Sequence, residues 1–337
     1  MTVLSASSFE VVEGWEQLPA GYSHPDVADV AVDSTGRVYL FCRSEHPVLV
    51  YERDGGFVRS WGERLFTMRA HGITMAPDDT IWFTDDGDQT VRRFDRDGRL
   101  LATIGTSGRA SDTGYDGTTV ASITRGGPPF NRPTSLAVAP NGDLYVSDGY
   151  GNARVHQFSS GGELLRSWGE PGTGPGQFML PHGVAVHPDG RVFVCDREND
   201  RVQIFSPEGE FLEQWTVVQR PTKLVFDQRG LAIVAELCWR AGMRSFRNGP
   251  ITGHRPSRLA ILDPRGRVLA RLGDTGPLDE VWGAADPCRA GNFCAPHGLA
   301  LDLNGDLYVA EVAWHVGVSK GLVPATCHTI QKFAARA

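Results

Sequence analysis

Six segments of this chain repeat one pattern, and that repeat limits the fold more than any other feature. They are VADVAVDSTGRVYLF from Val27, AHGITMAPDDTIWFT from Ala70, PTSLAVAPNGDLYVS from Pro133, PHGVAVHPDGRVFVC from Pro181, PTKLVFDQRGLAIVA from Pro221 and PHGLALDLNGDLYVA from Pro296. Each joins a short apolar strand to a β-branched or aromatic one through a polar turn, which is a hairpin signal. Most copies continue into a third strand (TVRRFDRDG, ARVHQFSSGG, RVQIFSPEG), and some into a fourth (LLATIG, LLRSWG, FLEQW). Four antiparallel strands per copy make a propeller blade. The expected fold is therefore all-β, a six-bladed β-propeller forming one domain over residues 1–337. The sixth copy ends near Phe333 with little left for an outer strand. The N-terminal FEVVEGWEQL is expected to supply it and close the ring, which removes exposed sheet edges.

Composition agrees with this reading and excludes several classes. Forty glycines and 21 prolines suit a fold with many turns. A net charge of −7 argues against a nucleic-acid surface. No apolar run approaches the ~20 residues of a membrane helix. The N-terminus lacks a basic segment followed by an apolar stretch, so the expectation is a cytoplasmic monomer without a secretory signal. The six cysteines are too sparse for a disulfide framework. They are expected to be buried or free thiols, with Cys288 and Cys294 near enough in sequence to pair across a loop. Extra residues between copies fall in three loops, roughly 105–131, 239–256 and 273–294. Long loops on a rigid scaffold usually carry function.

The repeat also serves as a coordinate system. Two residues before the first strand's central valine, successive blades carry Ala28, His71, Thr134, His182, Thr222 and His297. Histidine occupies blades two, four and six. Alternate blades of a six-fold ring stand about 120° apart, so the three imidazoles are expected to converge on the axis as a tripod. Three histidines with an open fourth position are the donor set of a catalytic zinc, although imidazole also suits copper, iron or nickel. A lone histidine there would ordinarily be structural; the strict alternation is what points to a metal.

Residues just after the second strand return to the same face. That column reads Cys42, Asp85, Asp148, Asp196, Glu236 and Glu311, and such acids are expected mainly to cap backbone amides. The next column places Arg43 in blade one and Arg197 in blade four, opposite one another. Two guanidiniums over a metal suggest a substrate with a carboxylate, which arginine grips in bidentate fashion. Tyr150 follows in blade three, where a phenol beside a metal and two arginines can act as a base. Trp239, Trp314 and His315 are candidates for pocket walls.

The punctuation Gly-Val-Ala-Val, Tyr-Val-x-Asp and Arg-Val-x-x-Phe resembles that of NHL repeats. More specifically, FNRPTSLAVAPNGDLYVSDGYGNARVHQF and SWGEPGTGPGQFMLPHGVAVHPDGRVFVCDRENDRVQIF resemble the peptidyl-α-hydroxyglycine α-amidating lyase family. The likeness is strongest over residues 130–206 and stays in register over most of the chain. It implies a six-bladed propeller holding zinc through His71, His182 and His297. It further implies Tyr150 as catalytic tyrosine, with Arg43 and Arg197 as active-site arginines. The implied reaction cleaves an N-acyl-α-hydroxyglycine to an amide and glyoxylate, on a small-molecule or peptide substrate, without a redox cofactor. The chain departs from that family at three places. Ala295 stands where the family has methionine, Gly298 replaces an acidic ligand of a structural calcium, and Gly151 replaces a disulfide cysteine. Calcium would then depend on backbone ligands near Val30 and Ile73. Two other readings start from the same fold: a lactonase-like hydrolase, whose calcium needs oxygen ligands, and a non-catalytic binding propeller. No copper hydroxylase domain accompanies the repeat, so the expected substrate is a small N-acyl hydroxyglycine or another carbinolamide.

Overall fold

The second strand of every repeat is buried from end to end, flanked by the first and third strands of its own sheet. Val38–Cys42 and Val192–Asp196 are buried along their whole length, whereas the outer strand Leu100–Gly105 is mostly exposed. The computed structural model describes residues 9–273 and 286–336. Their strands form six four-stranded antiparallel sheets plus two small two-stranded ladders, and the chain is an all-β, six-bladed propeller of NHL-type repeats.

Two compact units emerge from the packing. The first takes in the described residues up to Leu65, then Val225–Arg244 and those from Pro250 on. Within it, blade one runs Val27–Val32, Val38–Cys42, Val48–Tyr51, Phe57–Trp61. Blade six contains Pro296–Leu301, Leu307–Glu311 and Ile330–Ala335, and the N-terminal strand Phe9–Val11 completes it. Phe9 pairs with Ala335 and Val11 with Phe333, antiparallel, as the short C-terminal copy required. Tyr308 and Ala310 of blade six pack with Val30, Leu40 and Tyr51 of blade one. The second unit comprises Phe66–Leu224 and Ser245–Gly249. It holds blades two to four, whose first strands are Ala70–Met75, Pro133–Val138 and Pro181–Val186. Tyr145 and Val155 of blade three meet Val184, Val194 and Phe205 of blade four in its core. Burying each such side chain contributes about 1.5–3 kcal/mol.

Local chemistry fixes the hairpins. In blade one, Asp33 Oδ1 accepts from the N–H groups of Thr35 (2.9 Å) and Arg37 (3.0 Å), and Gly36 closes the turn at φ +89°. Blade two has Asp79 at the equivalent place, at φ +58°, a region aspartate tolerates better than most residues.

The acidic column is structural, as expected. Four of the five acids reach back to pin the loop that leads into their own blade, while Glu236 pairs with Arg258. Asp85 accepts from Thr67 N (2.7 Å), Asp148 from Asn131 N (2.8 Å) and Asp196 from Met179 N (2.8 Å). Glu311 accepts from Cys294 N (2.8 Å) and Ala295 N (2.9 Å). Asp196 also anchors Arg201, a side chain only 1% exposed that sequence reasoning overlooked. Arg201 donates to Asp196, to Gln214 and to the carbonyls of Thr173, Gly174 and Gln177. Arg201→Met should therefore lower unfolding stability by about 3–5 kcal/mol, since Asp196 would stay buried without its cation. The midpoint of urea unfolding measures this, and an unchanged midpoint would refute the structural role.

Cysteine usage departs from expectation. Cys288 is disulfide-bonded to Cys327, not to Cys294. The six-residue spacing suggested a local loop, but the partner arrives from a segment 39 residues away that packs beside blade six. Cys42, Cys195, Cys238 and Cys294 are buried free thiols. Of the expected 273–294 loop, residues 274–285 lie outside those described. Among the described residues no helix is long and apolar enough to cross a membrane.

Candidate metal centre and active site

A β-bulge sets the histidine column apart from the rest of each inner strand. In blades one, two, three, four and six the strand pairing skips one residue: Ala28, His71, Thr134, His182 and His297. A bulged residue leaves the ladder and its side chain is re-aimed. The glycine after each histidine belongs to the same device. A Cβ on Gly72 would lie 2.8 Å from Thr134 O, and one on Gly183 would lie 2.5 Å from Thr222 O. Only glycine lets the next blade's backbone come that close.

Those same carbonyls orient the imidazoles. His71 Nδ1 bonds to Thr134 O at 2.5 Å, and His182 Nδ1 to Thr222 O at 2.7 Å. In the first unit, His297 Nδ1 makes the matching bond to Ala28 O at 2.6 Å. A carbonyl only accepts, so each Nδ1 carries a proton, and in the neutral ring the lone pair is then on Nε2. All three rings are buried. Neutral imidazoles with Nδ1 anchored and Nε2 presented as donor are the chemistry a zinc ligand requires.

Within the second unit the candidate residues come together. The His71 and His182 rings lie 4.7 Å apart. The Tyr150 hydroxyl stands between them, 3.3 Å from His71 Nε2 and 3.4 Å from His182 Nε2. Arg197 Nη1 donates to the same oxygen at 3.1 Å, and its guanidinium lies 5.3 Å from the ring centroid. Arg197 starts the short helical turn Arg197–Asn199, which is held from outside. Phe246 N bonds to Glu198 O (3.1 Å) and Arg247 Nε to Asn199 O (2.8 Å), so the tip of the 239–256 loop braces this turn.

The electrostatics keep Arg197 charged. Burial opposes its charge, but Tyr150 and Glu198 outweigh burial and hold its pKa above the usual value. Glu198 accepts from Arg197 (2.8 Å) and Arg220 (2.9 Å). Burial would raise its pKa, yet the two guanidiniums bring it down to about 2.

In the first unit Arg43 sits against Asp26, Nη1 to Oδ2 3.5 Å. Asp26 is raised above its usual range by burial, which Arg43 and the backbone amides of His315 and Trp314 only partly offset. Trp239 is fully buried, whereas Trp314 is 47% exposed. Arg69 and Tyr115 went unnoticed in the sequence. Arg69 is ion-paired with Asp86 and lies 5.7 Å from the Tyr150 ring centroid. Tyr115 belongs to an insertion outside the repeat, so no periodic signal marks it, whereas Arg69 shares a column with Asp26, Arg132 and Arg220 that sequence reasoning passed over.

The calcium implied by the resemblance does not fit at residue 298. A Cβ on Gly298 would lie 2.3 Å from Asp29 Oδ1 and 2.5 Å from Asp29 Cα, so no acidic side chain can stand there. Gly151 has a similar reason: its Cβ would meet Asn131 Oδ1 at 2.1 Å.

Comparison with known proteins agrees with this architecture. The NHL repeat model matches residues 130–158 and 178–205. NHL repeat-containing protein 3 of Mus musculus is 35% identical over 84% of this chain and 76% of its own length. The Homo sapiens protein of that name is 34% identical over 66% of this chain, and the match spans 65% of it. Peptidyl-alpha-hydroxyglycine alpha-amidating lyase 1 of Drosophila melanogaster is 35% identical over 51% of this chain but only 31% of that protein. Among solved structures, a streptogramin B lyase superposes with a TM-score of 0.59 over 99% of this chain and 100% of that one, at 12% identity. The chain belongs to the family of NHL repeat-containing protein 3.

Proposed function

We propose that this chain is a zinc-dependent carbon–nitrogen lyase that cleaves an N-acyl-α-hydroxyglycine, or a related carbinolamide, to an amide and glyoxylate. The observation that carries this reading is the Tyr150 hydroxyl, placed between two imidazole Nε2 atoms with Arg197 on the same oxygen. His71, His182 and His297, a group of three side chains able to hold one ion, would bind the metal. The likeness to an amidating lyase supports the same choice of reaction.

When bound, zinc supplies Lewis acidity toward the substrate hydroxyl oxygen, which makes its proton easier to remove. Tyr150, entering as the phenolate, takes that proton. As the carbon–oxygen double bond forms, the carbon–nitrogen bond breaks, and Tyr150 returns the proton to the departing amide nitrogen. The products are a primary amide and glyoxylate, with no change of oxidation state across the whole reaction. Arg197 and Arg43 hold the carboxylate and fix the hydroxyl-bearing carbon against Tyr150. Arg197 also places positive charge beside the phenolate oxygen that accepts this proton and that re-forms when the proton passes to nitrogen.

Incubating the zinc-loaded protein with α-hydroxyhippurate should release glyoxylate and benzamide in equal amounts. No glyoxylate from a protein of verified zinc content would rule out this reaction. Calcium as the sole bound metal would instead favour a hydrolase, and absence of any metal a binding scaffold.

A further inference from the structure

We propose that the 105–131 insertion sets the substrate class, with Tyr115, Arg69 and Arg132 forming a flat platform beside Tyr150 that takes a planar aromatic N-acyl group. The inference rests on the lyase reading for the carboxylate end of the ligand and extends it to the acyl end.

The insertion is fastened to the segment that carries Tyr150. Thr113 Oγ1 donates to Gly151 O at 2.6 Å, and Asn131 Nδ2 donates to Thr113 Oγ1 at 3.1 Å. Gly151 N closes the connection on Asn131 O at 3.0 Å. Tyr115 stands two residues past Thr113 and is therefore held by the same bonds. The Arg132 guanidinium lies 5.5 Å from the Tyr115 ring centroid. Arg69 lies 5.7 Å from the Tyr150 centroid and within electrostatic reach of Tyr115 as well. Two ring–guanidinium pairs thus lie near one another, Arg132 with Tyr115 and Arg69 with Tyr150. Stacked faces of this kind favour another flat π system over an aliphatic chain.

Charge separates the two ends of the ligand. Asp86 grips Arg69 through two nitrogens, Nη2 to Oδ2 at 2.8 Å and Nε to Oδ1. Arg69 therefore offers a face more than a charge. Arg197 shares the single carboxylate of Glu198 with Arg220 and keeps positive charge for an anion. A ligand with a carboxylate at one end and a neutral aromatic acyl group at the other matches both.

Hippurate and N-acetylglycine test this by isothermal titration into the zinc-loaded full chain. Both lack the α-hydroxyl, so neither is cleaved, and they differ only in the acyl group. The wild type should bind hippurate about tenfold more tightly. Tyr115→Ala should bring the ratio to about one while leaving N-acetylglycine affinity unchanged, and Tyr115→Phe, which keeps the ring, should preserve the preference. Equal affinities in the wild type, a preference that survives Tyr115→Ala, or binding of neither ligand would each overturn the platform. A hippurate preference in a protein that releases no glyoxylate would support the platform and remove only the lyase reading.

Discussion

His182→Ala should lose about one zinc per chain and lower kcat/KM for α-hydroxyhippurate by about 10³-fold or more. That factor corresponds to about 4 kcal/mol of barrier, within the several kcal/mol expected from Lewis-acid assistance. The loss should not come from unfolding. His182 bonds to Thr222 O and to the Tyr150 hydroxyl, and losing each costs about 1 kcal/mol. A second buried histidine supplies the control. His156 is fully buried, bonded through Nδ1 to Ser167 Oγ (2.7 Å) and through Nε2 to Asp148 (3.4 Å), and lies outside the bulge column. His156→Gln should therefore keep its zinc. Metal analysis and thermal unfolding of both variants decide the matter: a folded His182→Ala protein with full zinc content would end the three-histidine assignment.

Tyr150→Phe should retain zinc and carboxylate binding but lower kcat by about 10²–10⁴-fold, the range typical of a lost general base. The ring would still stack under the Arg197 guanidinium at its present 5.3 Å, so KM should change little. The pH–rate profile should also lose the limb that belongs to the catalytic base. A variant that keeps kcat within tenfold of wild type would show that the proton is removed elsewhere, and Tyr150 would then be a wall of the site.

Both effects trace back to one column of the repeat. The alternation Ala28, His71, Thr134, His182, Thr222, His297 was legible because a propeller repeats each position with a fixed rotation. The blade boundaries and the N-terminal strand of blade six were legible for a related reason. Hairpin turns and apolar alternation are local, and a short last copy must find its outer strand elsewhere. The acidic column was legible as structure because a carboxylate at a strand end has backbone amides within reach.

What lay beyond the sequence depended on segments distant from one another along the chain. Cys288 and Cys327 are 39 residues apart, and nothing in their spacing distinguishes that pairing from the local one to Cys294. Arg201 looked like an ordinary strand-initial arginine until the 173–177 loop folded its carbonyls around it. Tyr115 belongs to an insertion with no counterpart in other blades, so only the bonds of Thr113 and Asn131 bring it beside Tyr150.

The sequence alone determined the all-β repeat, the number of blades and which positions carry histidine, arginine and tyrosine, because periodicity and turn chemistry are properties of neighbouring residues. Only the tertiary structure decided how those residues are used. The bulge that turns each column residue out of its ladder, and the next blade's carbonyl that fixes the proton on Nδ1, arise where one strand meets another. A hydrogen bond between blades depends on packing that no single repeat contains.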